Sequence, residues 1–196
     1  CEQFRLDPEK PLFTFIGRLV GEKGADLLPH MASIALHEFS GQINILILGS
    51  GDPEVEQQLS GLQHFYSGHY SAYIGYNEAL AHKIYAGADF LLMPSRVEPC
   101  GLNQMYALRY GTIPIVRRTG GLRDTVIDIG DGGFGLCHDQ TSVSDVVHSI
   151  GRAIQLFADT KKFDAVRKEI QQIDHSWNSV AETYISVYQS ISKQHL

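Results

Sequence analysis

The chain has 196 residues, 43% of them apolar, and its formal net charge is −6. A chain of this length can bury one sizeable core, so we expect a single domain over residues 1–196. The acidic balance argues against a nucleic-acid partner, because proteins that bind nucleic acid present a basic face. No apolar run approaches the roughly 18 residues of a membrane-spanning helix, so no membrane partner is expected.

The three cysteines, Cys1, Cys100 and Cys137, are too few and too scattered to form a disulfide framework. Their number favours a reducing compartment such as the cytoplasm. The chain starts with cysteine rather than methionine, which indicates that it was cut from a longer protein.

Strand-like and helix-like segments alternate along most of the chain. Strands are predicted at 12–17, 43–49, 71–76, 89–95 and 112–118, and helices at 24–39, 53–63, 77–88 and within 94–111. Residues 142–196 read as helical throughout. Because the strands are continuously apolar rather than alternating, they predict a parallel sheet with helices on both faces. The predicted fold is therefore α/β: a Rossmann-like, doubly wound parallel sheet with helices appended at the C-terminus, its strand order left open.

The candidate ligand-binding residues follow the predicted strands, where parallel sheets hold their ligands. They are Arg18 and Lys23 after the first strand, Tyr76 at the end of the third, Glu98, Cys100 and Gly101 after the fourth, and Thr119, Gly120 and Gly121 after the fifth. Cationic, aromatic, acidic and glycine-rich positions thus meet at one edge of the sheet. This convergence predicts one composite site there.

The segment around Glu98 combines a carboxylate with the start of a helix. Pro99 restricts Glu98 to extended conformations, and Gly101 has no side chain to keep a ligand away from the backbone. The N–H groups of residues 101–103 would then point outward at a helix N-terminus, where anions bind. A phosphate beside a hydroxyl-rich group would suit this pair. The alternative is that Glu98 is a solvated turn residue.

Arg18 and Lys23 lie in a loop that contains Gly21 and is followed by Gly24. The glycines let this loop fold back and aim both cations at one point, as a diphosphate would require. The alternative is solvated surface charge. Tyr76 could stack on a nucleobase or belong to the rim of the core.

The sequence favours neither a cofactor nor a metal. Residues 49–52 read Gly-Ser-Gly-Asp, but Glu54 stands where a dinucleotide fingerprint needs its third glycine, so we do not expect NAD or FAD. The nine histidines show no metal-ligand spacing, and no Asp-x-Asp pair is present. Cys100 has no histidine nearby in sequence to activate it as a nucleophile, so we interpret it as a small, close-packed contact residue.

Residues 94–126, PSRVEPCGLNQMYALRYGTIPIVRRTGGLRDTV, strongly resemble the signature of bacterial glycogen synthases and plant starch synthases. The segments GRLVGEKG, GSGD, IGYNEALAHKIYAGADFLLMPSR and SWNSVAETYISVY follow in that family's order, so the resemblance covers about residues 10–190. It implies one half of a GT-B enzyme, in which two Rossmann-like domains face each other across a cleft. This chain resembles the C-terminal, donor-binding half. The N-terminal domain would lie upstream in the parent chain, and the helix from Trp177 would cross back toward it.

The resemblance also implies roles for individual residues. Arg18 and Lys23 would neutralise the leaving diphosphate, Glu98 would be the essential carboxylate beside the transferred glucose, and Tyr76 would stack on the base. Cys100, Gly101, Leu102 and Asn103 would make helix-start contacts to glucose and phosphate, and Thr119, Gly120 and Gly121 would echo the glycine motif of the N-terminal domain. Tyr106 stands where wider glycosyltransferases have a second glutamate.

The implied reaction transfers α-glucose from ADP-glucose to the 4-hydroxyl of an α-1,4-glucan with retention, with neither cofactor nor metal. The expected partners are the nucleotide-sugar donor, the glucan acceptor and the N-terminal domain of the same parent chain. This chain alone is expected to be inactive, and its location would be the cytoplasm, or a plastid for a plant protein. Two alternatives stay open: the donor domain of another retaining glycosyltransferase, similar to sucrose synthase, and a non-catalytic module that binds a nucleotide sugar.

Overall fold

The computed structural model describes residues 1–193, and its centre is a parallel sheet. The strands are β1 (Leu12–Leu19), β2 (Asn44–Gly51), β3 (Tyr70–Ile74), β4 (Phe90–Met93), β5 (Ile113–Arg117) and β6 (Leu136–His138). They pair in parallel in the order β3-β2-β1-β4-β5-β6. The order reverses between β1 and β4, and doubly wound sheets bind their ligands at such a switch point.

Helices cover both faces of this sheet. They are α1 (Leu28–Glu38), α2 (Pro53–Leu62), α3 (Glu78–Gly87), α4 (Asn103–Tyr110), α5 (Gly120–Thr125), α6 (Val143–Ala158), α7 (Thr160–Ile170) and α8 (Trp177–Lys193). Side chains that accept from free backbone N–H groups mark several helix starts. Asp52 accepts from Glu54 and Val55, Asn77 from Leu80, and Ser142 from Asp145.

The sheet and its helices bury two apolar clusters, and the larger one includes residues from both faces of the sheet. The larger contains Phe13 of β1 and Phe90 of β4, whose rings stack with centroids 4.8 Å apart. The smaller packs Leu46 and Leu48 of β2 against Ile84 of α3. Strands buried on both sides have no solvent face, which explains why their sequences are continuously apolar.

The structure confirms the α/β class and differs from the predicted elements in three places. The chain from Gly21 to Leu27 forms two short 3₁₀ turns before α1, where the sequence predicted helix from residue 24. β3 ends at Ile74, so Tyr76 lies in the following loop rather than at the end of the strand. The short helix α5 and the three-residue strand β6 were not predicted, since neither is long enough to show a clear period.

The C-terminal helix α8 exposes much of its apolar surface. Trp177 is 83% exposed, and Tyr184, Ile185 and Tyr188 are each more than half exposed. A helix with this pattern has an apolar face that the rest of the described chain leaves uncovered. Within residues 1–193, no helix combines the length and hydrophobicity that crossing a membrane requires.

Candidate functional site

The loops that follow β1, β4 and β5 meet at the carboxyl edge of the sheet, and backbone contacts fasten the first two together. The N–H groups of Arg96 and Val97 both donate to the carbonyl of Glu22. Gly24 has φ +68°, and a side chain there would place its Cβ only 2.3 Å from the carbonyl oxygen of Pro94. The loop after β1 can therefore pack on the loop after β4 only with glycine at this position.

A side-chain link reinforces this contact. The guanidinium of Arg96 donates to both carboxylate oxygens of Asp26, at 2.5 and 2.8 Å, and to the carbonyl of Gly21 at 2.8 Å. Hydrogen bonding from Arg96 holds the pKa of the Asp26 carboxyl below its ordinary value, although partial burial opposes this. The arrangement fixes Lys23 relative to the segment that carries Glu98.

Lys23 and Glu98 form an ion pair at this junction. The Lys23 ammonium lies 2.5 Å from Oε2 of Glu98, and the Ser95 hydroxyl donates to the same oxygen at 3.2 Å. Glu98 is only 6% exposed, so it is not the solvated turn residue of the alternative interpretation. Two donors compensate a carboxylate that burial would otherwise destabilise.

Arg18 and Lys23 do not point to the same place in this structure. The Arg18 guanidinium is 3.7 Å from the carboxylate of Glu22, and both side chains are 69% exposed. Each cation lines a different cavity, and we name the cavities after one residue of each. Arg18 lines the Tyr76 cavity, whereas Lys23 lines the Glu98 cavity.

The Tyr76 cavity has a volume of about 300 Å³ and lies between the ends of β1 and β2 and helices α3 and α4. It is lined by Ile16, Gly17, Arg18, Leu48, Gly49, Ser50, Gly75, Tyr76, Asn77, Glu78, Ala81, His82, Tyr85, Asn103 and Tyr106. Tyr76 is 83% exposed, and its hydroxyl donates to Glu78 at 3.3 Å. Tyr76 is therefore a rim residue with a free ring face, available for stacking.

The Glu98 cavity, of about 360 Å³, is lined by Lys23, Met93, Glu98, Pro99, Cys100, Gly101, Leu102 and Asn103. It contains the start of α4, which no side chain caps within the described residues. Free N–H groups at a helix N-terminus favour anions, so the Glu98 cavity combines donors for a phosphate with one buried carboxylate.

Asn103 joins the two cavities, since it lines both. Its side-chain amide donates to the carbonyl of Ile16 at 2.6 Å, which fastens the start of α4 to the end of β1. A ligand with two unlike halves could therefore span both cavities across this residue.

The structure explains why residue 101 is glycine, for a reason that the sequence did not reveal. Its φ of +77° is in the left-handed region, and a Cβ there would lie 2.4 Å from Oε1 of Gln104. The amide of Gln104, which is fully buried, donates to the carbonyls of Cys100 and Gly101 at 3.1 and 3.0 Å. The left-handed backbone angle, together with the buried Gln104 amide and not only the approach of a ligand, favours glycine here. The Cys100 side chain is exposed rather than close-packed, which corrects the prediction for it.

Thr119, Gly120 and Gly121 lie behind the Glu98 segment and line neither cavity. Gly120 has φ +43°, and a Cβ there would be 2.0 Å from the carbonyl oxygen of Glu98. The N–H of Gly121 donates to that same oxygen at 3.0 Å. The two glycines thus support the backbone of Glu98 from behind.

The sequence profile of the family described as glycosyl transferases group 1 matches residues 2–169. The chain belongs to this family. It is 62% identical, over 99% of its length, to a glycogen synthase from Flavobacterium johnsoniae, of which it covers 41%. It therefore spans about two fifths of that relative.

Solved structures of glycosyltransferases share the fold. The catalytic domain of starch synthase IV from Arabidopsis thaliana, bound to ADP and acarbose, has a TM-score of 0.86 at 34% identity, over 96% of this chain and 40% of that one. A sucrose-phosphate synthase from Thermosynechococcus elongatus has a TM-score of 0.71 at 22% identity, over 98% of this chain and 48% of that one, and shows the fold alone. The Rossmann-like fold of a GT-B glycosyltransferase domain is confirmed.

Sequence reasoning missed the aromatic side of the Tyr76 cavity in this family member. His82 and Tyr85 of α3 and Tyr106 of α4 all line that cavity. Their spacing of three residues within α3 puts His82 and Tyr85 on one helix face, a signal visible in the sequence. What the sequence lacked was the packing of α3 against α4. Within residues 1–193, no group of three or more His, Cys, Asp or Glu side chains could hold a metal ion.

Proposed function

We propose that this chain is the donor-binding domain of a glycogen or starch synthase. The enzyme would transfer α-glucose from ADP-glucose to the 4-hydroxyl of an α-1,4-glucan and retain the anomeric configuration. The 62% identity to a glycogen synthase and the similarity to a starch synthase domain that binds ADP support this assignment.

The observation that carries the proposal is the pair of cavities joined at Asn103. The Tyr76 cavity offers aromatic rings and one arginine, which suit a base and its phosphate. The Glu98 cavity offers a carboxylate, an ammonium group and a helix N-terminus, which suit a sugar joined to a phosphate. A nucleoside diphosphate sugar has these parts in this order.

The reaction breaks the bond between glucose and the diphosphate, so negative charge grows on the leaving group. Lys23 and the N–H groups at the start of α4 are positioned to stabilise it, with Arg18 reaching in from the adjoining cavity. The carboxylate of Glu98 would repel a diphosphate and is suited to orient the sugar and to stabilise its developing positive charge. The Lys23 ammonium contacts the carboxylate of Glu98 in this structure. When the donor binds, this ammonium would have to interact with both the carboxylate and the phosphate.

The acceptor side of the site would come from an N-terminal domain of the parent chain. This assignment agrees with the 41% of the relative that the chain covers and with the exposed apolar face of α8, which such a domain would cover. With half of the cleft missing, the 196-residue chain should bind the donor nucleotide without transferring glucose.

Titration calorimetry of the 196-residue chain with ADP, UDP and NAD tests the proposal, with Arg18→Ala as the comparison variant. We expect ADP to bind more tightly than UDP or NAD and the substitution to weaken ADP binding. Tighter binding of NAD than of ADP, or ADP affinity that Arg18→Ala leaves unchanged, would refute the site.

Two further results would change part of the proposal. Equal affinity for ADP and UDP would place base selection outside this chain. It would also favour the alternative that the chain is a donor domain similar to that of sucrose synthase. ADP binding without glucosyl transfer by the full-length parent protein would indicate a non-catalytic nucleotide-sugar module.

A further inference from the structure

Four aromatic side chains pack together between α3 and α4 and form one side of the Tyr76 cavity. We call this group the aromatic wall: His82, Tyr85, Tyr106 and Tyr110. The His82 ring meets Tyr106 edge-on with centroids 5.9 Å apart, and Tyr85 stacks on Tyr110 at 6.2 Å. Three of the four residues line the cavity, so the wall is part of the surface that a ligand would meet.

One side-chain hydrogen bond holds this wall across the two helices. Nδ1 of His82 in α3 lies 3.1 Å from the hydroxyl of Tyr110 in α4. Tyr106, one turn before Tyr110 in α4, is 45% exposed and presents its ring to the cavity. Its contact with His82 limits the positions that the ring can adopt, because edge-to-face pairs have a preferred geometry.

We propose that His82 is a positioning residue: it holds the ring of Tyr106 in the wall of the cavity, where that ring would contact the nucleoside half of the donor. The inference rests on the proposed function and adds a residue and a contact to it. A wall that is ordered before the ligand arrives lowers the entropy lost on binding. No residue of the wall lines the Glu98 cavity, where the proposed function places the bond that breaks. The wall should therefore contribute equally in the ground state and the transition state, and so act on donor affinity and not on turnover.

The test compares Tyr110→Phe, His82→Phe and the double variant in the two-domain enzyme. Each substitution removes the same hydrogen bond and keeps a ring in place. Tyr66→Phe is the matched control, because its half-buried hydroxyl bonds Ser33 at 3.1 Å outside either cavity. Affinities for ADP and for inorganic pyrophosphate are measured by calorimetry, and KM for ADP-glucose and kcat are measured by steady-state assay.

We expect each single variant to weaken ADP binding and to raise KM for ADP-glucose by about threefold to tenfold, the range of one neutral hydrogen bond. The double variant should lose no more than either single one, since all three break the same contact. Pyrophosphate affinity and kcat should stay within about twofold of the parent, and Tyr66→Phe should change neither affinity.

Unchanged ADP affinity in both single variants would overturn the inference, and so would an equal loss for ADP and pyrophosphate, which indicates a general structural effect. A parent enzyme that binds neither ADP nor ADP-glucose would instead refute the proposed function. Additive losses in the double variant would show that His82 and Tyr110 act separately and would also contradict the inference.

Discussion

The Glu98 cavity and the Tyr76 cavity share Asn103, but they are constructed differently. The first is shaped by close packing: Gly24 and Gly120 lie too close to a backbone carbonyl for a Cβ, and Gly101 lies against the buried amide of Gln104. The second is bounded at its mouth by exposed side chains, with Tyr76 83% and the Arg18 side chain 69% exposed. Rigid surroundings suit the groups that act on the reacting bond, whereas an adjustable rim suits the recognition of a base.

The substitution Gly120→Ala should produce the largest effect on the Glu98 cavity. The new Cβ would overlap the carbonyl of Glu98 at a backbone angle that alanine disfavours, so we expect a loss of about 2–5 kcal/mol in the free energy of unfolding. Denaturant titration measures it. Gly132→Ala is the control, because Gly132 also has a positive φ but has no atom within 4 Å of the added Cβ. Equal losses at both positions would mean that strain alone, and not packing behind Glu98, explains Gly120.

Lys23→Ala and Arg18→Ala test whether the partly buried cation and the exposed one contribute differently to stability and turnover. Both should lower turnover of the two-domain enzyme by about 10²–10³, the usual effect of removing one charged contact to a developing anion. Only Lys23→Ala should also destabilise the fold, by about 1–3 kcal/mol, since it removes one of the donors to the buried Glu98. Steady-state kinetics and thermal unfolding of both variants measure the difference. Near-normal turnover in both variants would show that neither cation stabilises the leaving group.

Tyr76→Ala should weaken ADP binding by about 1–3 kcal/mol, the range for stacking a base on an aromatic ring. The stability should not change, because this side chain is almost fully exposed. Calorimetric titration with ADP measures the affinity. Phe65→Ala is the control, since Phe65 is an aromatic residue that is 80% exposed and lines neither cavity. An equal change in both variants would exclude stacking at Tyr76.

A small effect on stability is expected for Asp26→Asn, which weakens the link to Arg96. This pair is partly exposed, so the loss should be below about 1 kcal/mol. Turnover should fall further, by about tenfold, because the link fixes Lys23 beside Glu98. If turnover changed no more than stability, the link would have no role in positioning.

The same link predicts a dependence on pH. The folded-state pKa of Asp26 is lowered from 3.8, so its contribution to stability is present above that pH and is lost as pH falls through the folded-state value. Acid unfolding curves should therefore shift less in Asp26→Asn than in the parent chain over that range. Identical acid dependence would show that Arg96 does not stabilise the Asp26 carboxylate.

The sequence by itself determined the layer architecture, because continuously apolar strands must be buried on both faces of the sheet. Phe13 of β1 and Leu46 of β2 are both buried, as this requires. It also determined which loops face the carboxyl edge, since every strand of a parallel sheet ends on the same side. The sequence alone therefore predicts that Lys23, Glu98 and Asn103 lie at the same edge of the sheet.

Only the tertiary structure decided how these residues meet. That Lys23 pairs with Glu98 while Arg18 stays exposed depends on the packing of the loop after β1 against the loop after β4, a contact between residues more than 70 positions apart. The roles of Gly120 and Gly121 as a support behind Glu98 depend on the distance between two backbones, which no local pattern encodes. The aromatic wall likewise exists because α3 packs against α4. Local periodicity determines which residues are buried, and long-range packing determines what they touch.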